Sequence, residues 1–92
     1  MKDLQLADFC RDNNISYLGV FGSYARDEAG EDSDVDFLVE FDQPMSLFDH
    51  IRVENSLEDL LGCAVDMVTK SSLHPYIKQY VFADLKPLYE KR

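Results

Sequence analysis

Gly22, Ser23, Asp34, Asp36 and Asp66 are the residues of this 92-residue chain whose types and spacing can do chemistry. Positions 22–36 read GSYARDEAGEDSDVD, so ten residues separate the Gly-Ser pair from two aspartates spaced i, i+2. The third aspartate lies in AVDMVT, a second short, strand-like apolar run. Side chains alternate along a strand, which puts Asp34 and Asp36 on one face. Two carboxylates side by side repel each other, and a divalent cation is their natural partner. Glycine lets backbone approach a phosphate closely, and a serine opening a helix offers N–H groups and a hydroxyl to its oxygens. A phosphate cradle beside a carboxylate pair outlines metal-assisted transfer from a nucleoside triphosphate.

With its flanks FGSYAR and SDVDFLVEFD, this spacing resembles the signature of the DNA polymerase beta-like nucleotidyltransferase superfamily, Gly-Ser followed at ten residues by Asp-x-Asp. Length and context are most similar to the minimal nucleotidyltransferase (MNT) domains, the antitoxins of HEPN/MNT toxin–antitoxin pairs. The likeness runs from the first helix to about Tyr89, with specific motifs only at 22–36 and Asp66. It implies that Asp34 and Asp36 hold two Mg²⁺ ions and that Asp66 completes the site nearest the acceptor and takes its proton. It implies that Gly22 and Ser23 bind the β and γ phosphates of ATP. The implied partner is a HEPN protein, an α-helical ribonuclease toxin that receives AMP on a tyrosine. All three acids are present, which favours activity over a retired scaffold. Arg26 has open readings: a phosphate contact, a contact to an acid of the partner, or a solvent-exposed helix residue. The next position is often glycine in this family and is Asp27 here, a change in the loop's turn and not in the acids. Tyr24 either lines the nucleotide pocket or joins the core.

Composition bounds the remaining choices. With 46% apolar residues the chain is expected to fold as one domain over 1–92, with a modest core. No apolar run approaches the ~18 residues of a membrane helix, and MKDLQLADFC lacks a signal-peptide pattern, so the cytoplasm is the expected location. The net charge of −9 argues against a nucleic-acid surface and suits a basic protein partner. Eight acids and no base fall between Asp27 and Asp42; those before Asp34 read as a solvated loop. Asp34 and Asp36 open the apolar run DFLVEF, where acids need a reason that a metal supplies. Cys10 and Cys63 are expected as buried free thiols, and His50 and His74, lacking a nearby ligand set, as surface or core residues. Larger transferases of the superfamily carry an acceptor-recognition domain, for which 92 residues leave no room. The acceptor is therefore expected to be a docked partner in a hetero-oligomer. Two other readings stay open: a catalytically silent module that neutralises the toxin by occlusion, and a small-molecule nucleotidyltransferase that works in an oligomer.

The elements that must position these residues are punctuated by caps and breakers. A first amphipathic helix around Leu4, Ala7, Phe9 and Cys10 ends near Asn13-Asn14. A buried strand over 15–21 stops at Gly22, a short helix follows over 23–28, and a second strand covers 34–41. Ser46 with Asp49 opens a helix in a capping box, and Gly62 closes it after Leu61. Its apolar positions are Phe48, Ile51, Leu57, Leu60 and Leu61. A third strand spans 64–69, a last helix 76–84 follows Pro75, and Leu88-Tyr89 adds a short edge strand. Tyr17, Tyr76, Tyr80 and Tyr89 are expected as core or edge aromatics. The order suggests an α+β fold, a small sheet with helices packed against it, and the resemblance implies the mixed-sheet nucleotidyltransferase core.

Overall fold

The structure, a computed structural model, describes residues 3–26 and 34–91. Helix α1 (Asp3–Asp12) passes through Asn14, at φ 60°, into strand β1 (Ile15–Phe21). Asparagine is among the few residues whose short polar side chain tolerates that left-handed backbone. Strand β2 (Val35–Phe41), helix α2 (Leu47–Leu61), strand β3 (Val65–Thr69), one 3-10 turn at Lys70–Ser72, helix α3 (Pro75–Asp84) and strand β4 (Lys86–Glu90) follow. The sheet is ordered β3-β2-β1-β4, with β1 antiparallel to β2 and β4 and β2 parallel to β3. This is the expected mixed α+β sheet. A parallel pair needs a crossover, and α2 is that crossover.

The helix expected over 23–28 is a turn across its described part, closed by Arg26 N donating to Gly22 O at 3.2 Å. Gly22, at φ 76°, stands just before that span, and so few residues do not sustain a helix alone. Asp27 and Glu28 lie outside the described residues. Strand β2 starts at Val35, which leaves Asp34 one residue ahead of it.

Helix α2 follows its local signals closely. Asp49 N donates to Ser46 Oγ at 3.1 Å, Ser46 N donates to the Asp49 carboxylate at 3.3 Å, and Gly62 ends the helix at φ 72°. Its buried stripe is Val53 and Leu57, one turn apart, whereas Phe48, Ile51 and Leu60 are exposed. The apolar positions are too many for one face, so composition did not reveal which side meets the sheet. Glu54 and Glu58 lie beside that stripe and accept from Met67 N at 3.0 Å and Val65 N at 2.9 Å. The match is geometric: four helical residues rise about 6 Å and two strand residues about 6.6 Å. Two carboxylates therefore cap the free backbone edge of β3, on either side of Asp66.

One sheet face carries the core. Leu18, Val20, Val35, Phe37, Val39, Val65 and Met67 pack there against Leu6 and Cys10 of α1 and Val53 and Leu57 of α2. Each such large side chain stabilises the fold by about 1.5–3 kcal/mol. Burial pushes the Cys10 thiol up to about 12, while Cys63, expected to be buried, is only half-buried. On the opposite face, buried Leu38 and Val81 lie outside that cluster, and α3 packs on β1. Gly19 permits that approach, since a Cβ there would sit 2.7 Å from Leu85 Cδ1 and from the Tyr17 hydroxyl. Tyr76 and Tyr80, expected as core or edge aromatics, are instead 78% and 68% exposed.

Candidate active site

Asp36 is the second residue of β2 and Asp66 the second of β3, and the parallel register pairs them directly. Neighbouring strands lie about 4.8 Å apart, and alternation turns both carboxylates away from the core that holds Val35, Phe37, Val65 and Met67. Asp66 is exposed and Asp36 half-buried. Burial raises the Asp36 carboxyl above the ordinary aspartate value, and the charges of Asp66 and then Asp34 raise it further. The three acids are thus close enough to act on one another electrostatically, although they come from two strands and the residue before one of them.

The Gly22 turn is built onto this cluster. Phe21 pairs with Asp36 across β1 and β2, so Gly22 emerges beside the carboxylate. A Cβ at Gly22 would lie 2.6 Å from Asp36 Oδ2. The glycine is needed for that contact as well as for its φ of 76°; a side chain there meets the acid before any phosphate. Ser23, next in the turn, is half-buried beside the same carboxylate end of the sheet. Ala25 is buried and Tyr24 packs partly buried against the core, which favours a structural place for that tyrosine.

Arg26 is exposed on the turn, not on a helix, and its guanidinium donates to the Asp84 carboxylate at the end of α3. The turn is thereby tied to α3 by a residue whose partner no local sequence signal marks. His50 Nε2 lies 3.1 Å from Met67 O, and His74 caps α3 by accepting from Tyr76 N at 3.3 Å. Both histidines are structural. Glu54 and Glu58 went unread in the sequence; spaced i, i+4 on α2, they look like ordinary surface acids until β3 is placed against them.

Carboxylate oxygens suit a hard divalent cation, and the mutual repulsion felt by Asp36 is what such an ion relieves. Among the described residues no three His, Cys, Asp or Glu side chains already converge on one point. Asp34, Asp36 and Asp66 fit a metal in donor chemistry. A groove of about 660 Å³ lies at the other end of the strands, by Phe41, His50 and Lys70, and contains none of these acids. No helix among the described residues is long and apolar enough to cross a membrane.

The nucleotidyltransferase domain model matches residues 4–87. Protein adenylyltransferase MntA of Thermococcus cleftensis is 53% identical over 71 residues, 77% of this chain and 72% of the relative. A toxin–antitoxin crystal structure with AMP-PNP superposes with a TM-score of 0.83 at 22% identity, over 100% of this chain and 76% of the other. An MNT antitoxin in complex with the tri-AMPylated HEPN toxin of Shewanella oneidensis gives a TM-score of 0.72 at 22% identity, over 97% and 70%. The two structural matches speak for the fold; the sequence match and the family model speak for descent. The chain belongs to the nucleotidyltransferase domain family, among its minimal members.

Proposed function

We propose that this chain is a protein adenylyltransferase that moves AMP from ATP to a tyrosine hydroxyl of a HEPN ribonuclease toxin, and so acts as its antitoxin. The observation that carries the reading is the Asp36–Asp66 register with Gly22 against Asp36. The name of the Thermococcus relative supports the reaction class, and the toxin complexes of the structural matches support the kind of partner. One unit spanning 1–92, working in the cytoplasm in a complex with the toxin, is part of the same proposal.

Each residue then has a task. Asp34, Asp36 and Asp66 would hold two Mg²⁺ ions, which when bound neutralise the triphosphate and stabilise charge on the attacking and leaving oxygens. Gly22 leaves room beside Asp36 for the triphosphate tail, and Ser23 donates its hydroxyl and backbone N–H to the β and γ phosphates. The tyrosine oxygen attacks the α-phosphorus, the bond to the β-phosphate oxygen breaks, and pyrophosphate leaves. A phenol has a pKa of about 10, so the attack needs a proton acceptor at neutral pH. Asp66, exposed beside Asp36, takes that proton. Arg26, held by Asp84, keeps the turn seated while nucleotide binds.

The test is a comparison of Asp66→Asn with Asp36→Asn. Asp66→Asn should keep most Mg–ATP binding and lose turnover, read as pyrophosphate release with toxin present. Asp36→Asn should lose both. Wild-type turnover in both variants would end the assignment of these acids, and no turnover in the wild-type chain would end the enzyme reading and leave neutralisation by occlusion.

A further inference from the structure

Asp36 and Asp66 are held very differently by the sheet. Asp36 stands on β2, which is paired on both sides, by β1 and β3. Asp66 stands on β3, an edge strand paired only with β2, and is the second residue of that strand. Strand ends and unpaired edges are the parts of a sheet that open most readily. The Asp66 side chain is exposed, so packing does not clamp it, and the β3 backbone alone directs its carboxylate.

Helix α2 supplies what a further strand would. In a parallel ladder, successive residues turn their N–H and C=O groups to opposite sides. Val35 N donates to Ala64 O at 3.0 Å, so Ala64 and Asp66 face β2 while Val65 and Met67 face away from it. Those outward groups meet a row of three α2 side chains spaced i, i+4, i+8. Glu58 accepts from Val65 N at 2.9 Å, Glu54 accepts from Met67 N at 3.0 Å, and His50 Nε2 lies 3.1 Å from Met67 O. The residues on either side of Asp66 are therefore fixed from outside the sheet, and Asp66 itself is fixed by β2.

The residue type is informative. A neutral amide would satisfy the same N–H groups without adding negative charge beside Asp36 and Asp66. A carboxylate makes a charge-assisted bond instead, roughly twice as strong as a neutral one. Glu54 and Glu58 are half-buried, whereas their helical neighbours Asn55 and Asp59 are exposed, so the two glutamates are committed to β3 and not to solvent. Among the described residues they do not converge with the aspartates into a ready metal cluster. Their task is the strand.

We propose that Glu54 and Glu58 are positioning residues for the transfer reaction: by pinning the peptide groups on both sides of Asp66, they aim its carboxylate at the acceptor hydroxyl beside Asp36. This rests on the reading that Asp66 takes the acceptor's proton, and adds what keeps that acid in reach. Neither glutamate touches nucleotide or acceptor; both act through the β3 backbone. A reacting group displaced by about 1 Å loses on the order of 10²-fold in rate, and the outer partners of site residues typically matter by about 10–100-fold.

The test uses the full chain with a cognate HEPN toxin, Mg²⁺ and ATP, and reads pyrophosphate release well below the Tm of every variant. Three replacements of Glu58 separate hydrogen bonding from charge. Glu58→Gln keeps an acceptor for Val65 N without the charge, Glu58→Asp keeps the charge one methylene short of it, and Glu58→Ala keeps neither. The Asp and Ala variants should lose about 10–100-fold in kcat with the KM for ATP unchanged, and the Gln variant should recover most of that loss. Glu54→Ala should behave as Glu58→Ala. Amide exchange at Asp66, followed by NMR without nucleotide or toxin, should quicken in the Asp and Ala variants and not in the Gln variant. Ser46→Ala, which removes the cap at the other end of the same helix, should lower the Tm and leave both kcat and the Asp66 amide as in wild type. Wild-type kcat in Glu58→Asp and Glu58→Ala, or an equal loss in Ser46→Ala, would overturn the positioning role and leave a brace for stability alone. Glu58→Gln as slow as Glu58→Asp would trace the effect to charge and overturn it as well. A wild-type chain that releases no pyrophosphate would instead sink the transfer reading, and the positioning role with it.

Discussion

Replacing Gly22 by alanine separates two demands that this position meets at once. The first is conformational. At φ 76° an alanine pays the left-handed penalty, about 1–2 kcal/mol, and each kcal/mol lowers the Tm of a domain this size by about 4–8 °C. The second is spatial, because the new methyl would stand 2.6 Å from Asp36 Oδ2 where ordinary contact begins at 3.4 Å. The carboxylate or the turn must retreat by about 0.8 Å, and misplacement near 1 Å costs on the order of 10²-fold in rate. Gly62 supplies the control: its φ is 72°, and nothing lies within 4 Å of the Cβ it lacks. Thermal melts should show similar losses for Gly22→Ala and Gly62→Ala in EDTA. Added Mg²⁺ and ATP should raise the Tm of Gly62→Ala as they raise that of wild type, since a ligand selective for the native state stabilises it. Gly22→Ala should lose most of that rise. A normal Mg–ATP shift in Gly22→Ala would refute the assignment of this turn to the site.

Other perturbations probe separate parts of the account. A carboxyl with a raised pKa gives stability present below the ordinary aspartate value and lost as pH rises through the raised one. Asp36→Asn in EDTA should therefore melt at or above wild type at pH 7, with the difference shrinking toward pH 4; a lower Tm at pH 7 would count against carboxylate repulsion. Ser23→Ala should weaken ATP by about 1–2 kcal/mol, measured by calorimetry, as expected for one lost hydrogen bond to a charged group. Glu58→Ala should lower urea stability by about 1 kcal/mol through the unpaired Val65 N–H, and Glu54→Ala similarly through Met67 N–H. With its pKa at about 12, Cys10 should resist thiol reagents at pH 8 until the protein is unfolded, while half-buried Cys63 reacts in the native state.

Much of the fold was legible because its signals are local. Ser46 and Asp49 announced the start of α2, Gly62 its end and Pro75 the start of α3, each through hydrogen bonds or φ values set within a few residues. The acids were legible by type and spacing. Their arrangement was not, since pairing Asp36 with Asp66 depends on the register of strands joined by a whole helix. The same holds for Gly22 against Asp36, for the Glu54 and Glu58 brace on β3, and for Arg26 with Asp84, which is 58 residues away. The buried face of α2 was not legible because Phe48, Ile51 and Leu60 compete with Val53 and Leu57 for a single stripe. The described part of 23–28 is a turn, because so short a span does not sustain a helix alone.

The central claim is that the acids at the starts of β2 and β3 transfer AMP to a protein, and intact mass reads it directly. A cognate HEPN toxin is incubated with Mg²⁺, ATP and either wild-type chain or Asp36→Asn, then separated and weighed. The account predicts toxin heavier by whole AMP units after wild type and unchanged after Asp36→Asn, with the adduct on tyrosine and ribonuclease activity still absent once the two proteins are parted. Toxin of unaltered mass that regains activity on separation would contradict it.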